Sequence, residues 1–156
     1  MTELRMDAPN EKQRRFLLDR HRHIAYGGAR GGGKSWAVRT KAKLLALRYA
    51  GIKLLIVRRT LRELQNNHID PLRQELAGVA KYKAADKRFE FPNGSVLTFG
   101  YCACDGDLGQ YQGAEYDVVF LDEAGQLQKA WIDAINACVR GTNGFPKRTY
   151  YTLNPG

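Results

Sequence analysis

His23-Ile24-Ala25-Tyr26 runs straight into Gly27-Gly28-Ala29-Arg30-Gly31-Gly32-Gly33-Lys34-Ser35. The first four residues are a short apolar run, as a buried strand requires. From Gly28 to Ser35 the chain fits G-x-x-x-x-G-K-[ST] in full. A helical pattern follows: Val38, Ala42, Leu45 and Tyr49 recur on one face, with Gly51 placed to cap the end. Strand, glycine loop and helix in this order make a phosphate-binding loop. Glycines let successive backbone N–H groups turn around an anion without Cβ clashes, and the helix start points its positive dipole end at the same anion. Lys34 is expected to reach the β- and γ-phosphates of a nucleotide, and Ser35 to ligate Mg²⁺ through its hydroxyl. Arg30 reads either as an exposed loop residue or as a contact to the γ-phosphate that stabilises developing charge; the second is favoured.

A second apolar run, Leu54-Leu55-Ile56-Val57, has the continuous apolarity of a strand buried on both faces. Thr60-Leu61-Arg62-Glu63 has capping-box spacing, and Asp70-Pro71 is expected to restart that helix with Asp70 as its N-cap. Phe89 to Phe99 reads as a β-hairpin around Asn93-Gly94, expected to be structural. Val118-Val119-Phe120-Leu121 is a third buried strand, delivering Asp122 and Glu123 to its carboxyl end, where open α/β sheets hold ligands. Asp122 is expected to join the Mg²⁺ shell and Glu123 to orient the attacking water. Trp131, Ile135, Cys138 and Val139 give the next helix an apolar face. Thr149-Tyr150-Tyr151-Thr152 is the last strand. Alternating strands and helices predict an α/β three-layer fold on a mostly parallel central sheet.

The chain has 156 residues, with 25 Lys+Arg against 16 Asp+Glu. That suits one domain, and a hydrophobic share of 44% argues against general disorder. No apolar stretch approaches the roughly 18 residues of a membrane span, and the N-terminus lacks the apolar core of a signal peptide. Cys102, Cys104 and Cys138 fit neither a disulfide framework nor a common zinc spacing, and are expected to be reduced thiols in a cytosol-like compartment. Residues 1–88 carry 21 Lys+Arg and 8 acids, whereas residues 89–156 carry 4 and 8. This asymmetry suits a polyanion partner or a solvated basic surface equally well.

Together these segments resemble the N-terminal ATPase domain of bacteriophage terminase large subunits. The resemblance rests on the arginine-containing loop Gly28–Ser35 and on Gln13 with Phe16 upstream. It rests also on Gln112-Gly113-Ala114-Glu115-Tyr116-Asp117 leading into Val118–Ala124, and on Thr152-Leu153-Asn154-Pro155-Gly156. It implies a P-loop NTPase of the RecA-like ASCE division. ATP hydrolysis would be coupled to translocation of double-stranded DNA, in a homo-oligomeric ring with portal and small terminase subunit as partners, in the host cytoplasm. Gln13 would recognise adenine, and Thr152 and Asn154 would sense the γ-phosphate; an ordinary surface glutamine and a plain strand end are the alternatives. Arg58, Arg59 and Arg62 are candidates for an arginine supplied to a neighbouring subunit, or are simply solvated. The resembled strand order is 5-1-4-3-2. The strands read here supply 1 to 4, with an exposed flank beside strand 1, so the expectation is a single, C-terminally truncated ATPase domain without nuclease activity. Another helicase-like ATPase, or a module that binds ATP or DNA without turnover, are the rival functions.

Overall fold

The computed structural model describes residues 9–18, 20–27 and 33–154. Gly28, Ala29, Arg30, Gly31 and Gly32 lie outside the described residues, as do Pro155 and Gly156. Seven strands form one sheet in the order β1-β7-β6-β2-β5-β4-β3. These are β1 (His23–Gly27), β2 (Lys53–Arg58), β3 (Lys81–Lys83), β4 (Arg88–Glu90), β5 (Val96–Tyr101), β6 (Val118–Leu121) and β7 (Arg148–Leu153). The order β1-β7-β6-β2 reproduces the expected 1-4-3-2, with every pair parallel. β1 lies at one end of the sheet.

The centre of the sheet is apolar on both faces. Leu54 and Ile56 of β2 and Val118 and Phe120 of β6 join one core cluster, while Leu55, Val57, Val119 and Leu121 join the other. Helices α1 (Glu11–Leu18) and α2 (Lys34–Arg48) and the segment from 61 to 76 cover the first face. Helix α5 (Lys129–Asn136) and the 3₁₀ turns Asp105–Tyr111 and Ala124–Gln126 cover the second. This two-sided burial is why β2 and β6 read as continuous apolar runs rather than as alternation. Phe120 stacks on Tyr150 with ring centroids 4.9 Å apart, and Phe16 meets Tyr150 at 5.0 Å and Tyr26 at 5.3 Å. Phe16 therefore seats α1 against β1 and β7, one helical turn after Gln13. Phe120→Ala is expected to cost about 3–5 kcal/mol of stability, read as a lower urea midpoint at unchanged slope.

The hairpin is structural, as expected. β4 and β5 pair antiparallel as read, but β5 also pairs parallel with β2 over six residues and so extends the main sheet. Asp70-Pro71 does not restart a helix. Helix α3 (Leu61–Leu64) continues through a π-helical turn, Gln65–Ile69, into α4 (Asp70–Glu75), and Asp70 itself is helical at φ −61° and ψ −48°. Pro71 has no N–H to give the Asn67 carbonyl four residues back. Arg39 of α2 donates to that carbonyl instead, at 2.5 Å, so the helix need not end.

The basic excess of the first half is also partly internal. Lys41 donates to the Leu17 carbonyl at 2.5 Å and Lys43 pairs with Glu75 at 2.6 Å, both buried on α2. These cations join α2 to α1 and α4 rather than presenting charge to solvent. Gly51 does not cap α2 as its position suggested: Tyr49, in an extended conformation, ends the helix, and Gly51, at φ 89°, takes the left-handed place in the following turn, which Ile52 N closes on the Tyr49 carbonyl at 3.2 Å.

Candidate nucleotide site

The carboxyl ends of β1, β7, β6 and β2 converge on the start of α2, the switch-point position for ligands in such sheets. Gly33 takes φ 75° immediately before the helix, and a Cβ there would collide with the Gln13 amide. Glycine suits the left-handed turn, and a larger residue would also have to displace the end of the Gln13 side chain. Gln13 and Asn10 form a reciprocal capping box. Gln13 N donates to Asn10 Oδ1 at 2.8 Å, and Asn10 N donates to Gln13 Oε1 at 2.9 Å. The Gln13 Nε2 then points at the Gly33 carbonyl, 3.4 Å away. The structure therefore sets Gln13 against Gly33 while its amide is engaged within the protein.

Lys34 is buried at the helix start. Its ammonium donates to the Leu153 carbonyl at 3.0 Å and to Asn154 Oδ1. The other end of the Asn154 amide donates to Glu123 Oε2 at 2.5 Å. Carbonyl toward ammonium and NH₂ toward carboxylate is the one orientation both charges favour. Ser35 Oγ donates to Asp122 Oδ2 at 3.0 Å. Thr152 Oγ1 donates to Asp122 Oδ1 at 2.5 Å and accepts from Glu123 N at 2.8 Å. Lys34, Ser35, Asp122, Glu123, Thr152 and Asn154 thus form one hydrogen-bonded assembly.

Glu123 adopts φ 57° and ψ 50°, the left-handed region that a non-glycine residue enters at a cost of roughly 1–2 kcal/mol. Its N–H is held by Thr152 and its carbonyl accepts from Gln126 N at 3.0 Å. That bend turns the Glu123 carboxylate toward Asn154 rather than along the strand axis. Strain of this kind persists where the surroundings over-determine it, which is characteristic of sites.

Two residues around Asp122 escaped the sequence reading in this role. Arg58, at the end of β2, is buried and donates to Asp122 Oδ2 at 3.0 Å and to Glu63 at 2.6 Å, with Glu123 Oε1 at 4.0 Å. It faces its own site and does not suit reach toward a neighbouring subunit; Arg59 and Arg62 are exposed. The rule that located Asp122, the carboxyl end of a buried central strand, applies equally to Arg58. Glu63 completes only half of a capping box. Thr60 Oγ1 accepts from Glu63 N at 3.2 Å, but the Glu63 carboxylate serves Arg58 and the Thr60 hydroxyl instead of the N-cap N–H. His68, fully buried in the π turn, contacts Asp122 Oδ2 through Nε2 at 2.7 Å. Its polar run, Gln65-Asn66-Asn67-His68, carries no motif that would have marked it.

Burial by itself would raise the Asp122 carboxyl. Hydrogen bonds from His68 and Thr152 and the Arg58 charge outweigh it and hold the group well below the ordinary carboxylate range. Burial, with Arg39 and Arg58 nearby, holds His68 below the ordinary imidazole value against the opposing pull of Asp122. In both cases the unfolded chain takes up the proton first, so acid destabilises the fold. The His68 contribution weakens stability as pH falls below about 6.5, and the Asp122 contribution as it falls below about 3.9 toward the depressed folded value. Urea midpoints from pH 8 to about 2 are expected to decline in these two stages, and His68→Gln to remove the upper one.

A family model, "Terminase large subunit, T4likevirus-type, N-terminal", matches residues 25–155, spanning the loop, the acidic pair and the last strand. The chain belongs to this terminase family. Solved structures agree on the fold. The large terminase of a thermophilic bacteriophage superposes with a TM-score of 0.76 at 18% identity, covering 93% of this chain and 39% of that one. The same thermophilic phage protein in complex with ATP-gamma-S gives 0.72 at 18% identity, covering 93% and 38%. The Thermus phage P74-26 large terminase ATPase domain gives 0.73 at 17% identity, covering 96% and 66%. This terminase-family chain thus spans about two-fifths of the thermophilic phage protein. No curated protein matches it.

Proposed function

We propose that this chain is the ATP-hydrolysing motor domain of a phage terminase large subunit, coupling hydrolysis to translocation of double-stranded DNA during packaging. The observation that carries the reading is the joining of Lys34, Asn154 and Glu123 in one hydrogen-bonded chain beside the Ser35–Asp122 pair. A phosphate-binding cation, a metal-ligand pair and a water-orienting carboxylate are what phosphoryl transfer needs within one site. Similarity to the thermophilic phage terminase in complex with ATP-gamma-S supports the choice of nucleotide.

Each residue then has a task. The loop Gly28–Ser35 cradles the phosphates through its N–H groups, with Arg30 on the γ-phosphate, and Lys34 neutralises the β- and γ-phosphates. Glu123 accepts a hydrogen bond from the attacking water and orients it in line. Thr152 and Asn154 read the γ-phosphate, because a phosphate that draws Lys34 away competes directly with Asn154. Gln13 turns its amide to the adenine edge. The Ser35 hydroxyl and Asp122 carboxylate, 3.0 Å apart, are hard oxygen donors that fit Mg²⁺. Among the described residues no group of three His, Cys, Asp or Glu gathers to hold a metal; Mg²⁺ at nucleotide sites is ordinarily held by one or two protein oxygens together with substrate phosphates and waters. Ser35 and Asp122 would hold the Mg²⁺, which would supply charge neutralisation to the transferring phosphoryl group.

The proposed setting is the host cytoplasm. The partners are double-stranded DNA, portal, small terminase subunit and further copies of the chain in a ring, with Arg59 or Arg62 supplied to the neighbour's site. Among the described residues no helix is long and apolar enough to cross a membrane. Binding of the purified chain to linear double-stranded DNA and to portal tests the motor reading. DNA affinity is expected to fall steeply with salt, as counterion release demands. Salt-insensitive DNA binding with no portal association would point to a different ATPase.

A further inference from the structure

Among the described residues Asp122 accepts from four side-chain donors: Ser35, Arg58 and His68 on Oδ2, and Thr152 on Oδ1. Three of these are shared. Ser35 is the proposed metal ligand, Arg58 also pairs with Glu63, and Thr152 also accepts from Glu123 N. The carboxylate can only accept, so His68 Nε2 carries the proton of its contact. Among the described residues no group reaches His68 Nδ1, so the donated bond to Asp122 is the ring's single polar tie.

The backbone fixes that ring. His68 sits in the π turn, where Asp70 N donates to the Gln65 carbonyl and Arg39 satisfies the Asn67 carbonyl that Pro71 leaves open. Asn67 Nδ2 further donates to the Glu63 carbonyl at 2.9 Å. A π turn widens the helix by one residue and re-aims a side chain, which is why such turns recur at functional sites. An ordinary α-helical register would have rotated His68 away from its present direction. The turn is thus locked by contacts from α2, the helix that starts at Lys34.

We infer that His68 is a positioning residue for the Asp122 carboxylate, holding it in the rotamer that pairs with Ser35 in the metal shell. This rests on the proposed nucleotide function. Partners that orient a ligating carboxylate typically change metal affinity about 10–100-fold when removed.

The test measures binding of a fluorescent ADP analogue to the purified chain across a Mg²⁺ titration, alongside thermal melts. His68→Met deletes the donor at similar volume. It is expected to raise the Mg²⁺ concentration for half-maximal effect about 10-fold or more while leaving Mg²⁺-free nucleotide affinity close to wild type. His68→Gln can place an amide N–H where Nε2 stands and is expected to restore most of the Mg²⁺ response. His68→Asn falls short of Asp122 and is expected to fail like Met. If the Met variant does not fold, the Gln–Asn comparison carries the test, since a packing role alone would not rank Gln above Asn. A wild-type Mg²⁺ response in His68→Met, or in the Asn variant, overturns the inference, as does a Gln variant no better than Asn. A wild-type chain that binds no nucleotide, identically to Lys34→Ala, removes the functional reading and this inference together.

Discussion

Replacing Glu123 by Gln is expected to leave ATP binding near wild type and to cut steady-state hydrolysis about 10²–10⁴-fold. Glutamine is nearly isosteric, so the left-handed turn at φ 57° and the N–H bond to Thr152 survive. The neighbouring Asp122, the Ser35 contact and the phosphate loop are untouched. The charge that accepts a proton and aligns water is gone. The Asn154 NH₂ that now meets Glu123 Oε2 would face an amide able to offer its own carbonyl, so the bridge to Lys34 is preserved. Equilibrium binding and phosphate release on the same preparation separate the two effects. Hydrolysis near the wild-type rate would refute the role of Glu123.

Lys34→Ala is expected to damage both properties. Losing a charged donor to phosphate costs about 1.5–3 kcal/mol, or roughly 10- to 150-fold in nucleotide affinity. Hydrolysis at saturating nucleotide falls a further 10²–10³-fold or so, because charge on the transferring group goes unneutralised. The substitution also frees the Leu153 carbonyl and Asn154, which Lys34 holds at the end of β7. A disturbance of β7 alone would lower the melting temperature without abolishing binding, so melts and isotherms together distinguish the two.

How much of this was legible in the sequence follows from what each signal encodes. Strands β2 and β6 were readable because burial on both faces forces unbroken apolarity. The acidic pair was readable because strand polarity puts it at the ligand edge. The role of Arg58 was not, since a cation after an apolar strand looks the same whether it faces Asp122 or solvent. Its partners Glu63 and Asp122 come from elements 5 and 64 positions away. His68 was hidden for a related reason. Its direction depends on a π turn, and that turn depends on Arg39 donating across 28 positions to a carbonyl that Pro71 leaves open. Local spacing cannot express a register that a distant guanidinium stabilises. The basic half misled similarly: Lys41, Lys43 and Arg58 count toward net charge yet lie inside. The parallel pairing of β5 with β2 was invisible because hairpin chemistry specifies only the partner across the turn.

Phosphate release tests the motor reading most directly. Purified chain with ATP and Mg²⁺, assayed by malachite green beside Lys34→Ala, is predicted to release phosphate in a Lys34-dependent manner and faster with linear double-stranded DNA. Nucleotide binding without any Lys34-dependent release would contradict it, and would leave a module that binds ATP without turning it over.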